Sequence, residues 1–401
     1  MKVHHFTILV ILSMLNLVFV SCDIKDNEVA PGLTFTKIYN NPAFSGDYDP
    51  LDIQQTSDSG YVVLAASDSW NVYLLKADTE GEFAWELTLP EPYVNPVSSL
   101  IEINGAYYFF CMDEITLGTY LMKIDLSGGA PEVVQSYPNI TYPLHASLNP
   151  DFTMLVQSYN RDARATTLTK LDADFSIDWQ NKYDVLDDAE EPIIEHLTRI
   201  GERLPFFTGH IEGAGNSGYY FLNGFYNFTL SLMFVRANDG ELSGVINGFR
   251  DKGGISAATS LSNNSFALSR YDFGDNFFLP LTNIDLNGIG FSGDLEVSDF
   301  PELSSNARVI LKKLTIQGKE VIIYASDTKS NQLVLYAYDA ASEALLDVKY
   351  LGQTYPYKIG SFTPTSDGGM AVLGKTFVAG RFPRLAIFKL TIDEVQTLVQ
   401  E

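Results

Sequence analysis

One phrase recurs seven times along this chain. Apolar residues lead into a Lys-x-Asp-like triplet, and a polar or glycine-bearing turn follows. The clearest copies are Tyr73-Leu74-Leu75-Lys76-Ala77-Asp78, then Gly81 and Trp85; Tyr120-Leu121-Met122-Lys123-Ile124-Asp125, then Gly128; and Leu168-Thr169-Lys170-Leu171-Asp172, then Trp179. Weaker copies end at Asn238, Asp285, Asp339 and Thr391, so that successive anchors stand 47, 47, 66, 47, 54 and 52 residues apart. A period in this range belongs to stacked supersecondary units that share one continuous core. Length alone, 401 residues, would suggest two or three domains. The repeat instead makes residues 33–401 a single body.

Each repeat reads as four short strands. In the first, Leu51–Gln55 is followed by the turn Ser57-Asp58-Ser59-Gly60, then Tyr61–Ala65, Asn71–Ala77, the turn Asp78–Gly81, and Phe83–Leu89. Gly, Asn and Asp between apolar runs are hairpin signals, because they accept a positive φ at little steric cost. Equivalent first turns fall at Asn104-Gly105, Asn149-Pro150-Asp151, Ile200-Gly201, Asn263-Asn264, Gln317-Gly318 and Asp367-Gly368-Gly369. Beyond the N-terminal leader, no segment holds a 3.6-residue apolar period over a dozen residues. The expectation is an all-β, seven-bladed β-propeller of four-stranded blades. Too few residues follow Thr391 for a good outer strand, while Thr34–Asn40 reads as an outer strand without a blade. The N-terminal strand is therefore expected to close the last blade.

The phrase resembles that of bacterial secreted propellers whose repeat runs Asp-Gly-Gly-Tyr, Tyr-Leu-x-Lys-x-Asp, then Gly and Trp. Repeat one carries Asp58-Ser59-Gly60-Tyr61 and the first triplet; repeat seven carries Asp367-Gly368-Gly369-Met370 and Phe388-Lys389-Leu390-Thr391. The resemblance covers about residues 34–396, with repeats four to six degenerate. It implies the fold and is nearly silent on activity, since such propellers share no single one.

Residues 1–21 read as a signal peptide: Lys2, an apolar run from Phe6 to Val20, and Ser21 before Cys22. Phe19-Val20-Ser21-Cys22 resembles the lipobox of bacterial lipoproteins, with Phe19 where Leu is usual. The resemblance implies cleavage before Cys22 and acylation of its thiol, a stable anchor when several chains are attached. The acidic residues that follow, Asp23, Asp26 and Glu28, resemble the surface-export signal of Bacteroidetes-type lipoproteins. Residues 22–32 then read as a flexible tether. The other cysteine, Cys111, sits in an apolar run and reads as a buried structural thiol. With Cys22 acylated, no internal disulfide can form.

The formal net charge of −24 argues against nucleic acid, which needs clustered Lys and Arg. Strand order sends the two short turns of each repeat to one face and the longer loops to the other. The candidate ligand-binding residues on that longer-loop face are Trp70, Tyr159, Arg161, Arg164, His210, Tyr271, Asp272, Asp275 and Arg381. Aromatic faces with charged groups beside them suit a glycan or an extended peptide. The wide spacing before Asn238 places extra residues around Thr208–Phe228, a glycine- and aromatic-rich segment read as a lip or long hairpin. Asp187–Glu191 reads as a solvated acidic loop. Asp47 with Asp49, and Asp272 with Asp275, offer oxygens to a hard cation, yet neither spacing is a recognised loop, and no metal or cofactor is expected. No His-Glu-x-x-His, Gly-x-Ser-x-Gly or P-loop motif occurs. The expected function is a lipid-anchored outer-membrane propeller, at the periplasmic side or the cell surface, that binds an envelope protein or a glycan. The alternatives are a carbohydrate-active hydrolase with carboxylates in the central funnel and a structural subunit of an envelope complex.

Overall fold

The apolar runs of the repeats become strands buried on both faces. Tyr61–Ser67, Asn71–Ala77 and Leu333–Asp339 hold no exposed position. A strand covered on both sides has no solvent face to alternate with, so its sequence reads as one continuous run. The computed structural model describes residues 34–39, 46–68, 70–199, 203–211, 218–250, 252–295, 298–299, 302–378 and 382–400. The leader, Cys22, the tether and Arg381 lie outside them.

Hydrogen bonding groups the strands into six sheets. Repeats one and two share a nine-stranded sheet. In it, the meander from Tyr48–Gln55 to Phe83–Thr88 and the meander from Ile101–Ile103 to Glu132–Tyr137 are joined through Tyr93–Val94. Repeats three and six are four-stranded antiparallel sheets. Repeat four takes a fifth strand, Ile289–Phe291, in parallel from repeat five, whose own sheet ends on the two-residue Ser298–Asp299. The expected seven separate four-stranded sheets are thus six. The reason is local: the connection between repeats one and two pairs with strands on both sides of it, Val94 with Asn71 and Tyr93 with Asp113.

A ring closes around these sheets. One hydrophobic cluster lies between each pair of neighbouring repeats, and another, with Tyr61 and Leu75 against Leu373 and Ile387, lies between the first and the last. This is the architecture of a β-propeller. The last sheet is completed by Phe35–Tyr39, antiparallel to Arg384–Leu390, with Phe35 opposite Lys389 and Tyr39 opposite Leu385.

The recurring phrase has a physical meaning at two levels. In repeats one and seven its lysine is buried and reaches the first turn. Lys76 Nζ lies 3.0 Å from Asp58 Oδ2, and Lys389 Nζ lies 2.8 Å from Asp367 Oδ2. Each ammonium also donates to the next carbonyl, Ala77 O at 3.0 Å and Leu390 O at 2.9 Å. The triplet's Asp folds the second turn: Asp78 Oδ1 accepts from Glu80 N and Glu82 N. Between repeats, the fourth-strand aromatics dock on the next repeat's second turn. Trp85 Nε1 donates to Leu126 O at 3.0 Å, and Trp179 Nε1 donates to Ala237 O at 3.2 Å. The turn glycine makes room. Gly240, at φ +69°, would with a Cβ meet Trp179 at 2.5 Å, and Gly81, at φ +75°, would meet Phe35 at 2.4 Å. Tyr39 Oη donates to Gly81 O at 2.8 Å, as Tyr183 Oη does to Gly240 O at 2.7 Å. The N-terminal strand therefore makes the same inter-repeat contacts as an internal fourth strand.

Among the described residues two helices accompany the strands, α1 (Glu190–Thr198) and, after the last strand, α2 (Ile392–Val399). At nine and eight residues, both are too short to show a 3.6-residue apolar period in the sequence. The acidic residues read as loop begin α1, where Glu190 and Glu191 complement the helix dipole. Thr391 and Glu394 form a capping box for α2. The spacing excess before Asn238 is also relocated. Phe207–His210 and Tyr219–Tyr226 form an ordinary antiparallel pair, and the extra residues are the connection Val185–Phe206 that carries α1. The expected turn at Ile200-Gly201 lies outside the described residues. Cys111 is fully buried, and burial, then the Asp113 carboxylate, push its thiol far above the usual range.

Candidate functional site

The longer-loop face bears an arc of exposed apolar side chains. Leu186, Phe228, Phe249 and Phe273 lie on consecutive connections of repeats three to five and are all exposed, Phe273 by 70%. Backbone bonds tie these connections together: Leu186 N to Asn227 O, Leu230 N to Arg250 O, and Phe273 N to Lys252 O. The Phe249 and Phe273 rings stand 5.6 Å apart. Trp70, Ile115 and Phe382 continue exposed apolar surface on the connections of repeats one, two and seven.

The residues singled out from the sequence divide. Trp70 is exposed on this face. Arg161 pairs with Glu190 at the start of α1 and donates to Tyr142 Oη at 2.5 Å, so it braces the helix. Arg164, at φ 48°, closes the turn beside it. Tyr159 is buried in the cluster beneath α1, and Tyr271 packs against that cluster half-buried. Asp272 and Asp275 flank the two-residue turn Phe273-Gly274, with Asp272 3.6 Å from Arg270 and Asp275 exposed. His210 ends its strand opposite Tyr220, at the end of the sheet that bears the turn after Arg236, which is the opposite face.

What the sequence reading missed lies at the centre of the ring. The connection carrying α1 crosses to repeat one. Arg203 Nη1 reaches Asp49 Oδ2 at 2.7 Å, and Arg199 Nε approaches the same oxygen at 3.3 Å. Arg199 Nη1 also donates to Asn95 Oδ1 at 3.2 Å. Lys375 Nζ, from repeat seven, takes Asp49 Oδ1 at 2.9 Å. Arg308, from repeat six, donates to Pro50 O at 3.4 Å. Burial would push Asp49 up, but Arg203, Lys375 and Arg199 outweigh it and hold its carboxyl far below the usual range. These groups sit deep among the sheets yet keep solvent contact: the side chains of Arg203, Asp49 and Lys375 are 28, 23 and 21% exposed. They form a partly solvated charge cluster where the inner strands of repeats one, six and seven begin or end, here the mouth of the ring. Asp49, considered above as an oxygen for a cation, is instead neutralised by basic side chains. Among the described residues no group of three or more His, Cys, Asp and Glu gathers as a metal site would require. Nearby, Asp52 is spent on structure, accepting from Ile53 N, Leu100 N and Ser361 Oγ.

Two histidines border the mouth, each accepting a backbone N–H at Nδ1. His145 takes Thr208 N at 3.1 Å, and His196 takes Leu204 N at 3.0 Å. Burial, then the Arg308 guanidinium, push His145 down to about 3. Burial, then Arg203 and Arg199, push His196 in the same direction. Both are neutral in the folded protein at pH 7. An unfolded histidine binds a proton near pH 6.5. Below that value the unfolded chain gains protons that the folded rings refuse, so stability is complete above about pH 6.5 and falls on acidification. The unfolding free energy from urea titrations should fall by at most about 2 kcal/mol per ring between about pH 7.5 and 5. His145→Asn should flatten the slope by about half. A stability independent of pH across that window would contradict the neutral assignment.

No family model matches the chain, and no curated protein sequence matches it. Among solved structures, a protein of unknown function from Bacteroides caccae is similar at 11% identity, covering 84% of this chain and 91% of that one, with a TM-score of 0.39. A mutant of AofleA from Arthrobotrys oligospora aligns at 9% identity, covering 88% of this chain and 86% of that one, with a TM-score of 0.41. The β-propeller domain of the Trilobed protease from Pyrococcus furiosus aligns at 12% identity, covering 87% and 96%, with a TM-score of 0.46. Likenesses this distant carry no argument about activity, and the ring rests on its own contacts.

Proposed function

We propose that this chain is a lipid-anchored β-propeller of a bacterial outer membrane whose longer-loop face binds a protein of the cell envelope. The observation that carries the reading is the linked arc Leu186, Phe228, Phe249 and Phe273, exposed at the rim of the ring. Exposed apolar surface of this kind marks interaction sites. Phe, Leu and Ile suit an apolar protein segment better than a sugar; Trp70 is the rim side chain best made for a glycan. Seven four-stranded blades remain the best count, because the link between repeats one and two is only the two-residue Tyr93–Val94. Anchoring rests on Cys22 and its lipobox. The hydrolase reading is weaker, since Asp49 is held ionised by three cations and Asp52 is occupied by Ile53 N, Leu100 N and Ser361 Oγ. The subunit reading draws support from Ile289 and Phe291, exposed on the side of the ring at an edge strand.

The test is affinity capture from mildly solubilised envelopes with wild type and a Phe249→Asp/Phe273→Asp variant. Both rings are exposed, so folding should be unchanged. If they anchor a partner at about 2 kcal/mol apiece, its recovery should fall well over tenfold. Equal recovery by both proteins would remove the loop face from consideration.

A further inference from the structure

The mouth of the ring gathers Arg199, Arg203, Arg308, Lys312 and Lys375 around Asp49, with Asp47 and Asp52 as the neighbouring carboxylates. Asp49 divides its two oxygens among Arg199, Arg203 and Lys375. Arg308 is attracted by Asp49 and Asp52 but hydrogen-bonds neither: among the described residues its one hydrogen bond is the 3.4 Å contact to Pro50 O. Arg203 Nε is buried without a hydrogen-bond partner. Lys312 adds a further ammonium, over the Phe362 ring at 5.2 Å. All of this stands in a chain of net charge −24, where a local positive centre is unexpected. Guanidinium forks match planar oxyanions, and partial desolvation strengthens the match.

We propose that this mouth binds a carboxylate, the acidic side chain or terminus of a segment whose apolar residues rest on the surrounding arc. The site deepens the reading of the loop face as a protein-binding face. Arg308 and Arg203 supply the unused N–H groups, Asp49 holds the cluster together, and the positive centre draws acidic segments in and repels basic ones.

The probes are glutarate, standing in for an acidic side chain, and inorganic phosphate, each titrated calorimetrically into the full chain at constant ionic strength balanced with sodium chloride. Saturable glutarate binding is expected, weakened at least tenfold in Arg308→Gln and unaffected in Lys123→Gln, which removes an exposed charge elsewhere. Circular dichroism and the unfolding midpoint report whether Arg308→Gln folds. If it does not, Arg308→Lys, which keeps the charge and loses the fork, should bind glutarate more weakly than wild type. Preference for phosphate over glutarate would overturn the carboxylate assignment. Binding of neither, or binding unaltered by the Arg308 variants, would overturn the site itself. These outcomes are independent of the capture experiment. Loss of capture in the Phe249/Phe273 variant without anion binding would leave the loop face standing and the mouth assignment refuted.

Discussion

A chain lacking residues 34–39 is expected not to fold as a stable monomer. That strand pairs along its whole length with Arg384–Leu390, which is buried throughout in the intact ring. Phe35 and Tyr39 are half-buried against the cluster between the first and last repeats, and Ile38 against the one between the sixth and seventh. Half-burying three such side chains contributes roughly 1 kcal/mol each, and the ladder hydrogen bonds contribute about 1 kcal/mol each. The total approaches the roughly 5–15 kcal/mol that holds a typical domain together. The loss also bares Arg384–Leu390 as a long apolar edge, the kind of strand that pairs with other chains. Size-exclusion chromatography and thermal unfolding of the deletion should show oligomers and no cooperative transition at the wild-type temperature. Restoring the strand as a separate peptide should recover the transition. A deletion that remains monomeric and unfolds as wild type would mean the ring is held without its clasp.

Replacing Asp49 with Asn should be the most damaging single substitution at the centre. The isostere keeps volume and loses the charge that Arg203, Lys375 and Arg199 share. Breaking a desolvated ion pair on one side costs about 3–5 kcal/mol, because the partners are left uncompensated. The side chains keep some solvent, so the low end of that range is expected. The carboxyl is held well below the value of an unfolded aspartate. Its contribution is therefore present above about pH 4 and is lost as pH falls further, towards its folded value. Urea unfolding at pH 7 should show a midpoint lowered accordingly, and the deficit between wild type and Asp49→Asn should shrink on strong acidification. If the mouth takes an oxyanion, glutarate should restore part of the lost stability in the variant, since it replaces the missing charge. An unchanged midpoint at pH 7 would show that the cluster carries no net energy.

How much of this was legible beforehand depends on whether a residue acts within its own repeat or across the ring. Lys76 and Lys389 hold the same place in their triplets, so the repeat displays them, while their pairing with Asp58 and Asp367, 18 and 22 residues upstream, and their burial belong to the folded ring. Trp85 and Trp179 were visible as marks of the phrase, while their docking on the following repeat's turn was not. Helix α1 was missed because its nine residues are shorter than the window in which a period can be recognised. The extra residues were assigned to Thr208–Phe228 because that stretch is rich in glycine and aromatics, which are also the residues of a buried hairpin. Tyr159 looked like a loop aromatic and is a core one, since a residue at a strand end can point either way.

The sequence by itself determined the strand content, the repeat, the turns and the unclaimed N-terminal strand. Each is written in local patterns a few residues long, through turn chemistry and continuous apolar runs. Only the tertiary structure decided which charges meet at the centre. Asp49, Arg199, Arg203, Arg308 and Lys375 come from the first repeat, the connection after the third, and the sixth and seventh repeats, separated by as many as 326 residues. No spacing rule links them. They converge because ring closure brings the inner ends of distant repeats to one axis, and because the connection carrying α1 turns inward across it.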